Sequence, residues 1–232
     1  MTGSSLNLGY WATVEHAATW DADRALLQSI TDNGGRLSAD VAKKIAGIYK
    51  VARTFHGVAA KGYGPIAGII NGITLIPGQS FDVRVTAAVQ ATHAIAALGY
   101  TANPSAVSKW LWFRAPDNWY IYDQLAARAV GAGTSSVRGM RGFFAILQSC
   151  DVQAIHDRIA AIIIASGLDL RPERVIDKFL WLAGAKDSAS VISSARVRHA
   201  SLVADASALH DLATQISDIL PDDQFVPLKD RP

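Results

Sequence analysis

Apolar residues along this chain recur at the spacing of one helix face, and short polar or glycine-containing stretches separate the apolar segments. This spacing is typical of amphipathic α-helices, whereas the strict alternation that marks a half-buried strand is scarce. The predicted helices cover about residues 7–30, 38–53, 65–73, 83–98, 104–113, 123–130, 137–147, 152–166, 172–182 and 188–220. A break near residues 20–21 and an interruption of the last segment both stay open.

The residues that flank these segments predict how the helices begin and end. Ser38, Asp82 and Asp123 stand where an N-cap belongs, and Asn103-Pro104-Ser105 favours a helix start because proline suits the first turn. Gly99 is expected to end the preceding helix. About nine or ten helices and no convincing strand pair make all-α the expected fold class.

Composition limits the classes of protein to consider. The chain has 232 residues, half of them apolar and 18% charged, which is enough for one sizeable core or two closely packed lobes. The single cysteine, Cys150, excludes a disulfide framework, a cysteine-rich zinc site and a four-cysteine iron–sulfur cluster. The six histidines show no metal-ligand spacing. We therefore expect no metal and no cofactor.

The apolar segments also bear on location. The first residues lack the basic and apolar regions of a signal peptide. The most apolar segments, 65–77 and 159–168, are shorter than the roughly 20 residues that span a bilayer. We expect a soluble cytoplasmic protein, a monomer, with no membrane partner.

The net charge of +2 hides an uneven distribution of basic residues. The basic stretch consists of Lys43, Lys44, Lys50, Arg53 and Lys61. Two smaller clusters are formed by Arg138 with Arg141 and by Arg196 with Arg198. A basic face of this kind either contacts phosphate groups or is an ordinary solvated surface.

A lysine and an aspartate fourteen residues apart carry most of the functional interpretation. Lys109 lies on an apolar helix among tryptophans, so burial would favour its neutral, nucleophilic amine. Asp123 opens the next helix, where backbone amides would keep its carboxylate ionised and fixed. Such a carboxylate can stabilise positive charge on a deoxyribose ring or orient a water that attacks C1′. The alternative is a helix cap and a solvated lysine.

The segment resembles the helix-hairpin-helix DNA glycosylase superfamily, in particular the prokaryotic proteins with the 8-oxoguanine-glycosylase fold. That superfamily has Gly-x-Lys leading into an apolar helix, then a loop and Val-Asp-x-x-Val-x-Arg. Val107-Ser-Lys109 is similar to the first motif, and Ile121-Tyr-Asp123-Gln-Leu-Ala-Ala-Arg128 is similar to the second. By this resemblance Lys109 takes the place of the lyase-type lysine and Asp123 that of the essential carboxylate.

The chain also departs from the family pattern. Residues 100–107 replace the Leu-Pro-Gly-Val-Gly hairpin, the arginine of the second motif is displaced by one position, and the spacing from lysine to aspartate is a few residues shorter. The motifs cover about thirty residues, although the all-helical layout agrees over most of the chain.

The resemblance implies two packed helical lobes with a cleft between them, with bounds of about 40–118 and of 1–39 together with 119–232. It further implies a base pocket, for which Phe113, Asp177 and Trp181 are candidates. The helix that carries Asp177 and Trp181 can equally be an amphipathic core helix with a solvated aspartate. Candidate DNA contacts are Trp119, Tyr120 and Arg128, although Trp119 and Tyr120 can instead anchor their loop.

The implied activity is that of a DNA glycosylase, which flips a modified base out of double-stranded DNA and excises it, leaving an abasic site. The targets considered are glucosylated hydroxymethylcytosine in phage DNA, as an antiviral defence, and oxidised bases of the 8-oxoguanine type, as repair. Lys109 would attack C1′ or merely position the sugar phosphate. Two other interpretations are a non-catalytic helical DNA-binding module and a helical scaffold without a nucleic-acid role.

Overall fold

The computed structural model describes residues 6–75, 79–117, 119–134 and 136–225, and its regular elements in these ranges are all helical. The all-α class is therefore confirmed. The α-helices of the described residues are α1 (Leu8–Asp32), α2 (Ala39–Ile48), α3 (Val58–Lys61), α4 (Gly64–Gly72), α5 (Phe81–Ala97), α6 (Pro104–Arg114), α7 (Gln124–Ala129), α8 (Val137–Ser149), α9 (Val152–Ser166), α10 (Pro172–Ala183), α11 (Ser188–Arg198), α12 (Ala200–Asp205) and α13 (Ser207–Ile219). A short 3₁₀ helix covers Ala52–Thr54.

The chain divides into two compact units. Within the described residues, unit 1 contains positions 6–21, 124–132 and 145–225, and unit 2 contains positions 22–123 and 133–144. These ranges differ from the lobes expected from the sequence. The difference arises because α1 and α8 are each continuous helices that contribute residues to both units.

Helix α6 is the central helix of unit 2. Its residues 106–113 are all buried, including the polar Ser108 and Lys109, so this stretch of the helix has no exposed face. Trp110 fixes it to α2 by donating its indole N–H to the carbonyl oxygen of Ala42 at 3.0 Å. The ring of Trp110 also contacts Phe55 and Tyr63 edge-on, with centroids 5.4 and 6.4 Å apart. The helix that carries Lys109 is thus held firmly within its unit.

Close contact between α7 and α10 organises unit 1. A Cβ atom added at Gly184, directly after α10, would lie 1.8 Å from the carbonyl oxygen of Leu125 in α7, so only glycine fits there. Arg128 of α7 donates to the carbonyl oxygen of Gly184 at 3.1 Å. The short α7 is therefore held by direct backbone approach as well as by the apolar side chains around it.

Two of the expected helix starts are confirmed by hydrogen bonds. Ser38 caps α2 by accepting from the amide of Val41 at 3.2 Å, and Asn103 caps α6 by accepting from the amide of Ala106 at 3.0 Å. The cap assigned to Asp82 is wrong, because Ser80 occupies the N-cap of α5 and Asp82 lies in its first turn.

The structure decides the two points that the sequence left open and corrects the end of one helix. Helix α1 continues through residues 20–21 without a break, since apolar residues on its buried face run past that point. Helix α2 ends at Ile48 rather than near Arg53, and Lys50 beyond it has a left-handed backbone with φ of 56°. Residues 188–219 form three helices, which accounts for a larger number of helices than we expected.

None of the helices in the described part of the chain could cross a membrane. The longest, α1, has 25 residues and includes charged residues such as Glu15 and Asp23. The most apolar segments of the sequence lie in α4, with 9 residues, and α9, with 15 residues.

Candidate functional site

A hydrogen-bonded bridge joins α6 to the segment before α7. The buried hydroxyl of Ser108 accepts from the amide of Tyr122 at 3.1 Å, and its one proton is shared between the carbonyl oxygens of Tyr122 at 3.0 Å and Ser105 at 2.9 Å. Lys109 and Asp123 each follow directly after one of the two bridged residues. Because consecutive Cα atoms are only about 3.8 Å apart, the bridge brings the backbones of Lys109 and Asp123 close together.

Aromatic residues anchor the segment that leads to Asp123. Trp119 donates its indole N–H to the carbonyl oxygen of Ser108 at 3.0 Å, and its ring lies 5.0 Å from that of Phe144. The hydroxyl of Tyr122 donates to the carbonyl oxygen of Gly133 at 2.9 Å. Trp119 and Tyr120 are both fully buried, which fits the interpretation as loop anchors. Stacking on nucleic acid would require both rings to leave the interior.

Lys109 is buried, as its apolar surroundings predicted, with only 3% of its surface exposed. Its ammonium nitrogen, Nζ, donates to the hydroxyl of Ser105, one helical turn earlier, at 2.8 Å. A buried ammonium group needs such partners, because loss of hydration is costly. The lysine is therefore held within α6 rather than extended into solvent.

Asp123 lies directly before α7, at the position expected for an N-cap. It is half-buried, and its neighbour Tyr122 is fully buried while Gln124 is exposed. The chain thus emerges from the interior at the aspartate. A carboxylate in this position has a fixed backbone and remains partly accessible to a ligand.

Sequence inspection missed a buried arginine beneath the same loop. Arg84 of α5 is 5% exposed and donates to the carbonyl oxygen of Asp117 at 3.0 Å. Burial lowers the pKa of its guanidinium group, while Asp117 and Tyr120 act in the opposite direction. Its helical spacing to the buried Ala88 was the available signal. This cation adds positive charge behind the loop that precedes Asp123.

The three candidates for a base pocket fall in different units. Phe113 in unit 2 is buried, with its ring 5.5 Å from Tyr49 and 4.7 Å from Trp112 in edge-on contacts. Asp177 and Trp181 lie in unit 1. Asp177 is buried and forms an ion pair with Arg174 at 3.0 Å. The solvated Asp177 of the core-helix interpretation is therefore wrong, because Arg174 allows the carboxylate to be buried. Trp181 is half-buried.

Unit 1 contains a polar cluster that the sequence did not reveal. Its buried members are Glu15, His16, Glu173, Arg174 and Asp177. Glu15 of α1 accepts from Arg198 at 2.7 Å and contacts His199 at 3.2 Å. Glu15 and His16 of α1 lie far in sequence from Glu173, Arg174 and Asp177 of α10, so no local pattern relates the two groups, although Arg174 and Asp177 pair within one helix.

His16 is the most deeply buried titratable group of this cluster. Its Nε2 accepts a hydrogen bond from the backbone amide of Arg171, directly before α10, at 3.0 Å. The pKa of His16 is well below 6.5, because of burial first and then of the nearby charges of Arg174, Lys178 and Arg171. His16 is therefore neutral in the folded protein at neutral pH, with Nε2 deprotonated.

His156 of α9 behaves in the opposite way. Burial lowers its pKa, but hydrogen bonds with Glu173 and Asp157 outweigh burial, and the net pKa is raised. Its Nε2 lies 3.6 Å from Glu173, and its Nδ1 lies 3.1 Å from Asp157. Two histidines of unit 1 therefore have pKa values shifted in opposite directions, and their contributions to stability in acid have opposite signs.

Among the residues that the structure describes, no group of three His, Cys, Asp or Glu side chains could hold a metal ion. No protein family model, no curated protein and no solved structure matches this chain. Its function must therefore be inferred from its own residues.

Replacing Ser108 with alanine should weaken unit 2. The change leaves the buried amide of Tyr122 without the hydroxyl, which costs about 1–3 kcal/mol of unfolding free energy. Urea denaturation measures this loss, and hydrogen exchange at the Tyr122 amide should become faster. Ser149→Ala is the matched control, because that hydroxyl is exposed and bonds only within its own helix turn; it should change stability by less than about 0.5 kcal/mol. Equal stability of the two variants would contradict the role of the bridge.

Replacing His16 with glutamine should reduce the loss of stability in acid. Below about pH 6.5 the unfolded chain binds a proton at His16 that the folded chain does not, so stability falls with decreasing pH by up to about 1.4 kcal/mol per unit. Glutamine retains an acceptor for Arg171 and does not titrate. Urea midpoints between neutral and acidic pH measure the effect.

The control for this measurement is His156→Gln, which should have the opposite effect. The raised pKa of His156 contributes stability that is present below about pH 6.5 and is lost as pH rises through the folded pKa. Its removal should therefore lower stability mainly in acid. A parallel response of the two variants would show that neither histidine has the environment described above.

Proposed function

We propose that this protein is a DNA glycosylase that flips a modified base out of double-stranded DNA and cleaves its N-glycosidic bond. The observation that carries the proposal is the Ser108–Tyr122 bridge, which brings the backbones of Lys109 and Asp123 close together. The resemblance of the two motifs to those of helix-hairpin-helix glycosylases requires the same pairing. The all-helical fold agrees with it.

In the proposed reaction Asp123 acts on the sugar of the extruded nucleotide. Its ionised carboxylate stabilises the positive charge that develops at C1′ as the bond to the base breaks. The base leaves with the bonding electron pair and takes up a proton. Water adds to C1′ and loses a proton, which gives an abasic site. The half-buried position of Asp123 suits this role, because the carboxylate is both fixed and accessible.

In this proposal Lys109 positions the sugar phosphate and does not attack C1′. Its burial and its hydrogen bond to Ser105 support a role as a fixed cation near the sugar phosphate rather than as an attacking amine. An attack on C1′ would first require Nζ to give up this contact. The expected product is an intact strand with an abasic site.

The favoured substrate is a modified cytosine, such as glucosylated hydroxymethylcytosine in phage DNA. The family resemblance includes antiviral enzymes of this kind, and the usual hairpin is replaced by the aromatic turn around Tyr100. Repair of 8-oxoguanine-type damage is the alternative substrate class. Both versions share the same bond cleavage and the same carboxylate.

A second candidate function is a helical DNA-binding module without catalysis. The complete burial of Phe113, Trp119 and Tyr120 favours it, because these rings are engaged within the protein rather than presented to a base. In that case the Ser108–Tyr122 bridge merely fixes a loop. The two candidates differ in whether the carboxylate of Asp123 is needed.

Replacing Asp123 with asparagine should abolish base release and leave DNA binding near normal. Asparagine is as good an N-cap as aspartate, so the fold is retained while the charge is lost. The assay counts abasic sites in phage DNA with modified cytosines and in duplexes with 8-oxoguanine. The matched control is Asp151→Asn, which alters a cap of α9 outside the site and should retain full activity.

Full base release by the Asp123→Asn variant would contradict the catalytic role of this carboxylate. No release from either substrate by the wild type, together with retained DNA binding, would favour the module without catalysis. A loss of activity shared by both variants would point to helix capping rather than chemistry.

Borohydride reduction during turnover should trap no covalent protein–DNA adduct with the wild type. The reason is the commitment of Lys109 to Ser105 in the interior of α6. Denaturing electrophoresis separates an adduct from free protein. An adduct that forms with the wild type and with Lys186→Gln, but not with Lys109→Gln, would show that Lys109 attacks C1′ and would overturn the positioning role.

A further inference from the structure

The basic stretch of unit 2 stands out because it contains no acidic residue. Between Asp40 and Asp82 the sequence has no aspartate or glutamate, whereas five lysine or arginine residues fall within positions 43–61. The whole chain has a net charge of only +2. Five of the 22 lysine and arginine residues therefore fall in one short segment without a compensating carboxylate.

The structure exposes these side chains on unit 2. Lys43 and Lys44 lie in the second half of α2, Lys50 follows that helix, and Arg53 lies in the 3₁₀ helix. All four are exposed, and no carboxylate in the described part of the chain forms an ion pair with any of them. Among the described residues, no carboxylate therefore neutralises their charge.

The segment beyond Arg53 is held in place against the turn between α5 and α6. His56 donates its backbone amide to the hydroxyl of Thr101 at 2.8 Å, and Tyr100 donates its hydroxyl to the carbonyl oxygen of Gly62 at 3.0 Å. Lys61 donates to the carbonyl oxygen of Leu98. The basic segment is thus attached to the turn from which α6, with Lys109, begins.

Small residues occupy the exposed positions between the basic side chains. Ala52, Ala59, Ala60 and Gly62 are exposed, and a Cβ atom added at Gly62 would meet nothing within 4 Å. A surface of this kind lets a polyanion approach the backbone closely. It suits an anionic membrane poorly, because Ile48 and Leu98 are the only large apolar residues with substantial exposure among the described positions 41–62 and 98–101.

We propose that the surface formed by Lys43, Lys44, Lys50 and Arg53 binds the phosphate backbone of DNA. The proposal rests on the proposed function, since it names the contact that holds the substrate. Each lysine or arginine that neutralises a phosphate releases a counterion, so binding is sequence-independent and weakens as salt concentration rises. The turn that holds this segment leads in the protein chain directly into α6.

The test compares three variants that each remove two positive charges. Lys43→Gln with Lys44→Gln and Lys50→Gln with Arg53→Gln alter the surface, while Arg158→Gln with Lys186→Gln alters exposed residues of unit 1. Fluorescence anisotropy with a short unmodified duplex gives the affinity at several salt concentrations. Each surface variant should lose about tenfold in affinity, and its slope of log K against log salt should fall by roughly two. The unit 1 variant should change by less than about twofold.

Equal losses in all three variants would overturn the proposal, because net charge alone would then explain binding. Wild-type binding to vesicles of phosphatidylserine and phosphatidylcholine, without binding to the duplex, would also overturn it and identify a membrane surface instead. Base release is measured separately on the same proteins. If DNA affinity depends on the surface but no base is released, only the glycosylase activity is contradicted. If base release and DNA affinity are both unaffected by the two surface variants, only the role of this surface is contradicted.

Discussion

The bridge between Ser108 and Tyr122 is the interaction on which the candidate site depends. A single buried hydroxyl accepts from the amide of Tyr122 and shares its proton between the carbonyl oxygens of Tyr122 and Ser105. Without it those backbone groups would lie in the interior without the partner that replaces water, which is costly. The bridge fixes the segment that ends at Asp123 against α6, and so it fixes where the chain passes Lys109.

Both units bury charged or titratable side chains, but the partners that stabilise these side chains differ between the units. In unit 2 the buried cations Lys109 and Arg84 are held by a hydroxyl and a carbonyl oxygen. In unit 1 Asp177 is paired with Arg174, and neutral His16 accepts a backbone hydrogen bond at the start of α10. Such groups are stable only while each partner stays in place, so they favour one specific packing over alternatives.

Much of the helical layout could be predicted because helix periodicity and capping are local. The caps Ser38 and Asn103 are specified by residues within one turn of them. The cap assigned to Asp82 failed because α5 begins at Phe81, which places Ser80 at the N-cap position and Asp82 inside the first turn. Arg84 and His16 escaped notice because their partners lie 33 and 155 residues away in the sequence.

The sequence by itself determined that the chain is helical, that Lys109 lies on an apolar helix and that Asp123 opens the next one. The basic segment without aspartate or glutamate is also evident from the sequence alone, since it is a matter of composition. Only the tertiary structure decided that Asp177 is buried, that Trp119 and Tyr120 anchor a loop and that Lys43, Lys44, Lys50 and Arg53 are all exposed. Burial and partnership depend on residues that are distant in sequence and meet only when the helices pack.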